Sequence, residues 1–136
     1  LSSAMRLPPP LFRSAWLAAL LLASAGAARA APDGTALVGT WVVDLRPTPD
    51  APPYLQEFVV AAVDGRSFSG RFYGTPVTDA RLNPDWGALR IAFVTGDGSG
   101  AYHHAAVLNG NRLEGQSLST GRGFLAVWTA TRKPAP

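Results

Sequence analysis

The chain has 136 residues, 47% of them hydrophobic, with 14 glycines, 12 prolines and no cysteine. The missing cysteines exclude disulfides, a thiol nucleophile, a thiolate metal site and a lipid-bearing cysteine. The formal charge of +3 comes from 12 basic and 9 acidic side chains, but Arg6, Arg13 and Arg29 fall in a leader-like segment. Nine basic residues then remain against nine acidic ones, and the longest basic run among them is Arg132-Lys133. That balance excludes an electrostatic footprint for nucleic acid or an acidic membrane.

The leader comes first in chain order. Met5 is followed by Arg6 and Arg13, by the apolar run 15–23, and by Ala28-Arg29-Ala30. A basic head, a short apolar core and a small-x-small site form the pattern of a secretory signal peptide. The apolar run is shorter than the ~20 residues of a spanning helix. Residues 1–30 are therefore expected to be a signal peptide, with residues 1–4 as upstream sequence, and residues 31–136 to form one domain. With no Asn-x-Ser/Thr acceptor, the chain reads as a protein of the bacterial periplasm or as a secreted one. After cleavage no membrane association is expected.

The rest has no helical periodicity. Alternating or β-branched runs are instead punctuated by Gly, Pro, Asn and Asp. Eight strands are predicted: 37–45, 54–63, 66–73, 77–82, 87–95, 101–108, 112–118 and 124–132, followed by a frayed tail over 133–136. Asp64-Gly65 and Asn109-Gly110 mark tight hairpin turns, because their residues accept positive φ. Gly74-Thr75-Pro76 and Asn83-Pro84-Asp85 are read as breaks. Four prolines in Arg46–Pro53 stiffen the longest connection, which is either a lid over a barrel mouth or a plain link. Consecutive strands joined by short turns predict an all-β antiparallel up-and-down barrel, with a two-sheet β-sandwich as the alternative.

Gly39-Thr40-Trp41 opens the first strand, and Trp128-Thr129-Ala130-Thr131-Arg132 closes the last. These ends resemble the calycin superfamily, the lipocalin-like and avidin-like small β-barrels. The resemblance implies that Gly39 and Trp41 begin the barrel and that Arg132 lies over the tryptophan, a structural closure of the floor. An avidin-like ligand site is not implied. Val42, Val43 and Asp44 stand where polar ligand contacts would follow the tryptophan, and Gly70-Arg71-Phe72 lacks a tyrosine hydroxyl. The chain is also shorter than a typical lipocalin, with no helix after the last strand.

Chemistry-bearing motifs are sparse. His103 and His104 are adjacent on a strand, so their side chains point to opposite faces and at most one faces the interior. They do not make a metal pair, and no spacing supplies further ligands. Ser99 lies in Gly98-Ser99-Gly100 without the glycine spacing of a nucleophile elbow. The only lysine is Lys133, so no phosphate-gripping loop is present. No catalytic residue, metal or cofactor is assigned. Tyr73, Trp86, Tyr102 and His104 are the candidate ligand contacts. Two tyrosines can give polar tips to an apolar pocket, and a tryptophan in a turn either plugs a barrel end or meets a partner. The function expected is a non-catalytic binding module for a small, mostly apolar ligand. The alternatives are a filled barrel acting through its surface on a protein partner, as an interaction or inhibitor domain, and an isomerase- or cyclase-type enzyme on a hydrophobic substrate.

Overall fold

The structure is a computed structural model and describes residues 33–134. The expected signal peptide over residues 1–30, and the boundary expected after it, lie outside the described residues. Asp33 caps a short 3-10 helix, Gly34–Leu37, by accepting from the Thr35 amide at 2.9 Å. Nine strands follow. They are β1 (Gly39–Asp44), β2 (Leu55–Asp64), β3 (Ser67–Phe72), β4 (Thr75–Pro76), β5 (Thr78–Asn83), β6 (Leu89–Asp97), β7 (Gly100–Asn109), β8 (Arg112–Ser119) and β9 (Phe124–Arg132). Among the described residues no helix is long and apolar enough to cross a membrane.

All nine belong to one antiparallel sheet in the order β4-β3-β2-β1-β9-β8-β7-β6-β5. The first and last strands pair, Trp41 with Arg132 and Asp44 with Thr129. The two outermost strands of that order, β4 and β5, are consecutive pieces of chain separated only by Val77. That covalent link bends the sheet into a nearly closed barrel and rules out the two-sheet sandwich. Two backbone hydrogen bonds stitch the seam, Val77 N to Gly70 O at 3.0 Å and Leu82 N to Arg66 O at 2.9 Å.

Two strand predictions are corrected by this arrangement. The expected strand count was eight, but the chain pairs β3 through Thr75–Pro76 before it crosses to pair β6, so one predicted strand and part of a predicted break become two strands. Asp79, with φ 51°, sits in the bulge where β5 shifts register on β6; a bulge of this kind bends the strand around the barrel. The first strand was expected from residue 37. It starts at Gly39, because the Asp33 cap winds residues 34–37 into a turn and drives Leu37 into the barrel end, where it is fully buried.

Alternation sorts the side chains. Trp41 and Val43, Phe58 and Val60, Leu89, Ile91 and Phe93, and Trp128 and Ala130 face inward and are buried, while their sequence neighbours face out. Gly115 makes one inward position possible. A Cβ there would lie 2.5 Å from the Trp128 ring, so only glycine lets the indole lie against β8.

The end bearing the 3-10 helix is closed by Trp41 and Arg132. The Trp41 indole N–H donates to Leu37 O at 2.9 Å. The Arg132 guanidinium lies 4.3 Å above the Trp41 ring and donates to Val38 O and Ala36 O. A planar cation over an indole face gains from the ring quadrupole while its N–H groups satisfy carbonyls the helix leaves open. Gly39 supplies φ +136° at the entry to β1, a backbone setting that side chains rarely adopt. Lys133, assigned by sequence to a frayed tail, is held by its amide on Thr40 O at 2.8 Å and its ammonium on Glu57 at 2.7 Å.

Candidate functional site

The four candidate contacts do not converge. Tyr73, at the end of β3, and Tyr102, near the start of β7, belong to the barrel end opposite the 3-10 helix, here called the open rim. His104 lies one inward position below Tyr102. Trp86 lies in the β5–β6 turn at the closed end, is 77% exposed, and neighbours the Arg66–Asp85 ion pair of 2.8 Å. It cannot share a ligand with the other three.

His104 is part of a filled interior. Its ring centroid lies 4.6 Å from that of Phe93 and 4.5 Å from that of Phe72; Phe93 in turn stacks on Phe58 at 4.9 Å, and Phe72 meets Trp128 at 5.5 Å. Aromatic centroids at these spacings leave no room for a guest between the rings. Two depressions of the surface lie outside the wall instead, one over Val107, Glu114 and Val127 and one over Val42, Leu55 and Glu57.

Both ring nitrogens of His104 are used. Nε2 meets Thr95 Oγ1 at 2.8 Å, and Nδ1 meets Ser117 Oγ at 2.6 Å. Ser117 Oγ also accepts the Trp128 indole N–H at 2.8 Å. Among the described residues the Ser117 hydroxyl has no other acceptor, so its hydrogen points at Nδ1. A neutral imidazole carries one hydrogen, which then sits on Nε2 and is donated to Thr95. Burial, with a smaller contribution from the His103 charge, lowers the His104 pKa from 6.5 to about 4. The ring is thus a neutral structural group at neutral pH. His103, its neighbour, is exposed on the outer wall.

The rim itself carries polar chemistry in two groups. In the first, the Tyr54 and Tyr73 hydroxyls are hydrogen-bonded and their rings meet edge to face at 6.1 Å. The bond from Tyr54, and then burial, push the Tyr73 phenol up from its usual pKa. Tyr73 adopts φ 55°, a left-handed setting for a bulky residue, and its amide is anchored on Glu57 O at 2.9 Å. Beside it Asp44 clamps the base of the proline-rich connection. The carboxylate accepts from Arg46 at 2.6 Å and from the amides of Arg46 and Tyr54 at 3.1 and 3.3 Å. The Arg46 bond holds the Asp44 pKa below the usual range.

In the second group Asp97 accepts from the Ser99 hydroxyl at 2.6 Å, the Ser99 amide at 2.8 Å and the Tyr102 hydroxyl at 2.8 Å. The Ser99 bonds, then that of Tyr102, hold its carboxylate below the ordinary value. A carboxylate so stabilised is a poor base, and Ser99 donates to it in an Asx turn. The arrangement is structural and offers no activated nucleophile. Arg122 stacks over Phe124 at 5.2 Å, and the Tyr102 hydroxyl and Asp97 favour its charge. The β6–β7 and β8–β9 turns interlock here, since a Cβ on Gly121 would collide with Ser99 O at 1.6 Å.

Sequence reading did not single out Tyr54, Arg122 or Phe124 as rim residues. Tyr54 is read from sequence as the first residue of the strand 54–63 and Arg122, between two glycines, as a loop residue, and neither reading shows that the two share one end. Among the described residues no group of three or more His, Asp or Glu side chains is placed to hold a metal ion. In comparisons with known proteins, no family model, no curated protein and no solved structure matches the chain.

Proposed function

We propose that the barrel is a non-catalytic interaction domain that engages a protein partner through its open rim. One observation carries the reading. The interior is occupied by Phe58, Phe72, Phe93, His104 and Trp128 in mutual contact, while exposed Tyr54, Tyr73, Arg122 and Phe124 gather at one end. Tyrosine and arginine are enriched where proteins bind proteins, because they combine large apolar area with a polar tip. The hydroxyl pair, the Asp44 clamp and the interlocked turns fix these side chains in advance, which lowers the ordering cost of association. The floor made by Trp41 and Arg132 supports a calycin-like scaffold, and the leader pattern supports export. A small apolar ligand in the barrel, the leading expectation from sequence, finds no support in an interior of this kind.

The test is site-specific photo-crosslinking in the producing cell, with the probe placed at Tyr73 or Phe124 on the rim and at Trp86 on the closed end. A discrete protein adduct from the rim positions alone is expected. Adducts from Trp86 alone, or none from the rim, would refute the rim. Native mass spectrometry of protein from an exporting host is expected to give the bare polypeptide mass. A stoichiometric small-molecule adduct would restore the carrier reading.

A further inference from the structure

The chain has three tyrosines, and two of them touch. The Tyr54 and Tyr73 hydroxyls share a hydrogen bond, with ring centroids 6.1 Å apart and planes at 82°. Both side chains stand in solvent, 45% and 46% exposed. The third, Tyr102, donates to Asp97 at 2.8 Å and lies beside His104.

This meeting is costly to build. Alternation along β2 puts Tyr54 on the inward side with Phe58, and alternation along β3 puts Tyr73 on the outward side after Phe72. The turn after β3 undoes that separation. Tyr73 and Gly74 are the central residues of a tight turn between the paired residues Phe72 and Thr75, and both have positive φ, 55° and 75°. Such turns take Asn, Asp or Gly at the first central position, and a tyrosine there is strained. A tyrosine offered to a partner needs no such setting. One that must meet a second phenol does. Both backbones are also pinned, the Tyr73 amide on Glu57 O at 2.9 Å and Tyr54 O under the Leu45 amide at 2.8 Å.

We propose that Tyr54 and Tyr73 are an oxidative modification site, at which a peroxide acting through a haem peroxidase joins the two rings as an intramolecular dityrosine. Each phenol gives up one electron and one proton, which leaves a radical shared between its oxygen and the neighbouring Cε carbons. The two Cε radicals pair to form the carbon–carbon bond. The hydrogens on those carbons then move to the oxygens and restore both phenols. The peroxide takes up the two electrons and two protons and leaves as two waters. Because the hydroxyls touch, the Cε carbons beside them lie on facing parts of the rings. Rotation of exposed side chains, a motion of picoseconds to nanoseconds, closes the remaining gap. The chain has no cysteine with which to form a disulfide. The dityrosine takes that place: it ties the end of the proline-rich connection to the end of β3 and closes residues 54–73 into a loop, which restricts the unfolded state. The inference stands whether or not the rim binds a protein.

The test is hydrogen peroxide with a haem peroxidase, applied to the protein as purified from an exporting host. The expected product is a monomer lighter by two hydrogens, with the blue fluorescence of dityrosine. Trypsin is expected to release from it the peptide ending at Arg66 joined to Phe72–Arg81. Tyr54→Phe and Tyr73→Phe are each expected to abolish this product, and Tyr102→Phe to leave its yield unchanged. The linked protein is expected to melt at a higher temperature than the untreated one, and circular dichroism checks that each variant folds. Dimers linked between chains in place of the lighter monomer overturn the inference, as does a link through Tyr102 or oxygen added at Trp86 with no link. A link that leaves the melting temperature unchanged overturns its role as a staple.

Discussion

Lowering the pH from 7 to 4 loads one specific weakness, the neutral imidazole of His104. In the unfolded chain a histidine takes up its proton near pH 6.5, whereas in the barrel it does so only near 4. Between those values the unfolded state binds more protons, so stability falls as pH falls. The contribution is fully present above 6.5, is lost progressively on the way down to about 4, and changes no further below that. At about 1.4 kcal/mol per pKa unit the loss reaches about 3 kcal/mol, a large fraction of the stability of a small domain. The structure gives the cause. A proton on Nδ1 would displace the hydrogen of Ser117 from the one acceptor it has among the described residues, and the new charge would sit among Phe72, Phe93 and Tyr102. The assay is urea unfolding across this pH range for the wild type and for His104→Gln, which keeps a donor and an acceptor without a titrating group. The variant is expected to be less stable at pH 7 but flatter with pH. Asp33, Asp44 and Asp97, whose pKa values are lowered in the fold, weaken both proteins alike below the ordinary carboxylate range. Parallel curves for the two proteins between pH 6.5 and 4, or an NMR titration of His104 near 6.5, would refute the reasoning.

Gly115→Ala forces a Cβ to within 2.5 Å of the Trp128 ring; a loss of about 1–3 kcal/mol is expected, with a shift in tryptophan fluorescence as the indole moves. Phe93→Ala removes the ring between Phe58 and His104 and is expected to cost about 3–5 kcal/mol. The apolar hole it leaves should bind a small aromatic such as benzene, detected as a rise in melting temperature that the wild type does not show. Arg132→Ala loses the stack on Trp41 and both carbonyl bonds, for about 1–2 kcal/mol. Arg132→Lys is expected to recover less than half of that, because an ammonium cannot lie flat on the indole while reaching two oxygens; thermal unfolding of the three proteins measures it.

Much of the fold was legible because its signals are local. Asp64-Gly65 and Asn109-Gly110 sit at hairpin turns, and the alternation of Leu89, Ile91 and Phe93 with Arg90 and Ala92 separates inside from outside. The split of the fourth strand was not legible, because the crossing at Val77 answers to barrel closure and not to any preference of Thr75 or Pro76. The 3-10 helix was missed because Leu37 reads equally well as the apolar start of a strand. At the candidate site the limit was of another kind. That Tyr102 and His104 share one side follows from alternation. That Thr95 and Ser117 saturate His104, and that Tyr54 meets Tyr73, depends on register between strands, which no single segment carries.

The pairing of β1 with β9 puts the two ends of the domain side by side at the closed end, with Trp41 opposite Arg132. Force applied through both ends would act across that ladder from one end, opening its bonds one after another as a zipper opens. Shear would have to break them together. The Arg132 clip, the Lys133 amide on Thr40 and the Lys133–Glu57 pair are the first fastenings such a pull would meet. The barrel is therefore a soft element under tension between its ends, and it yields at the floor built by Trp41 and Arg132.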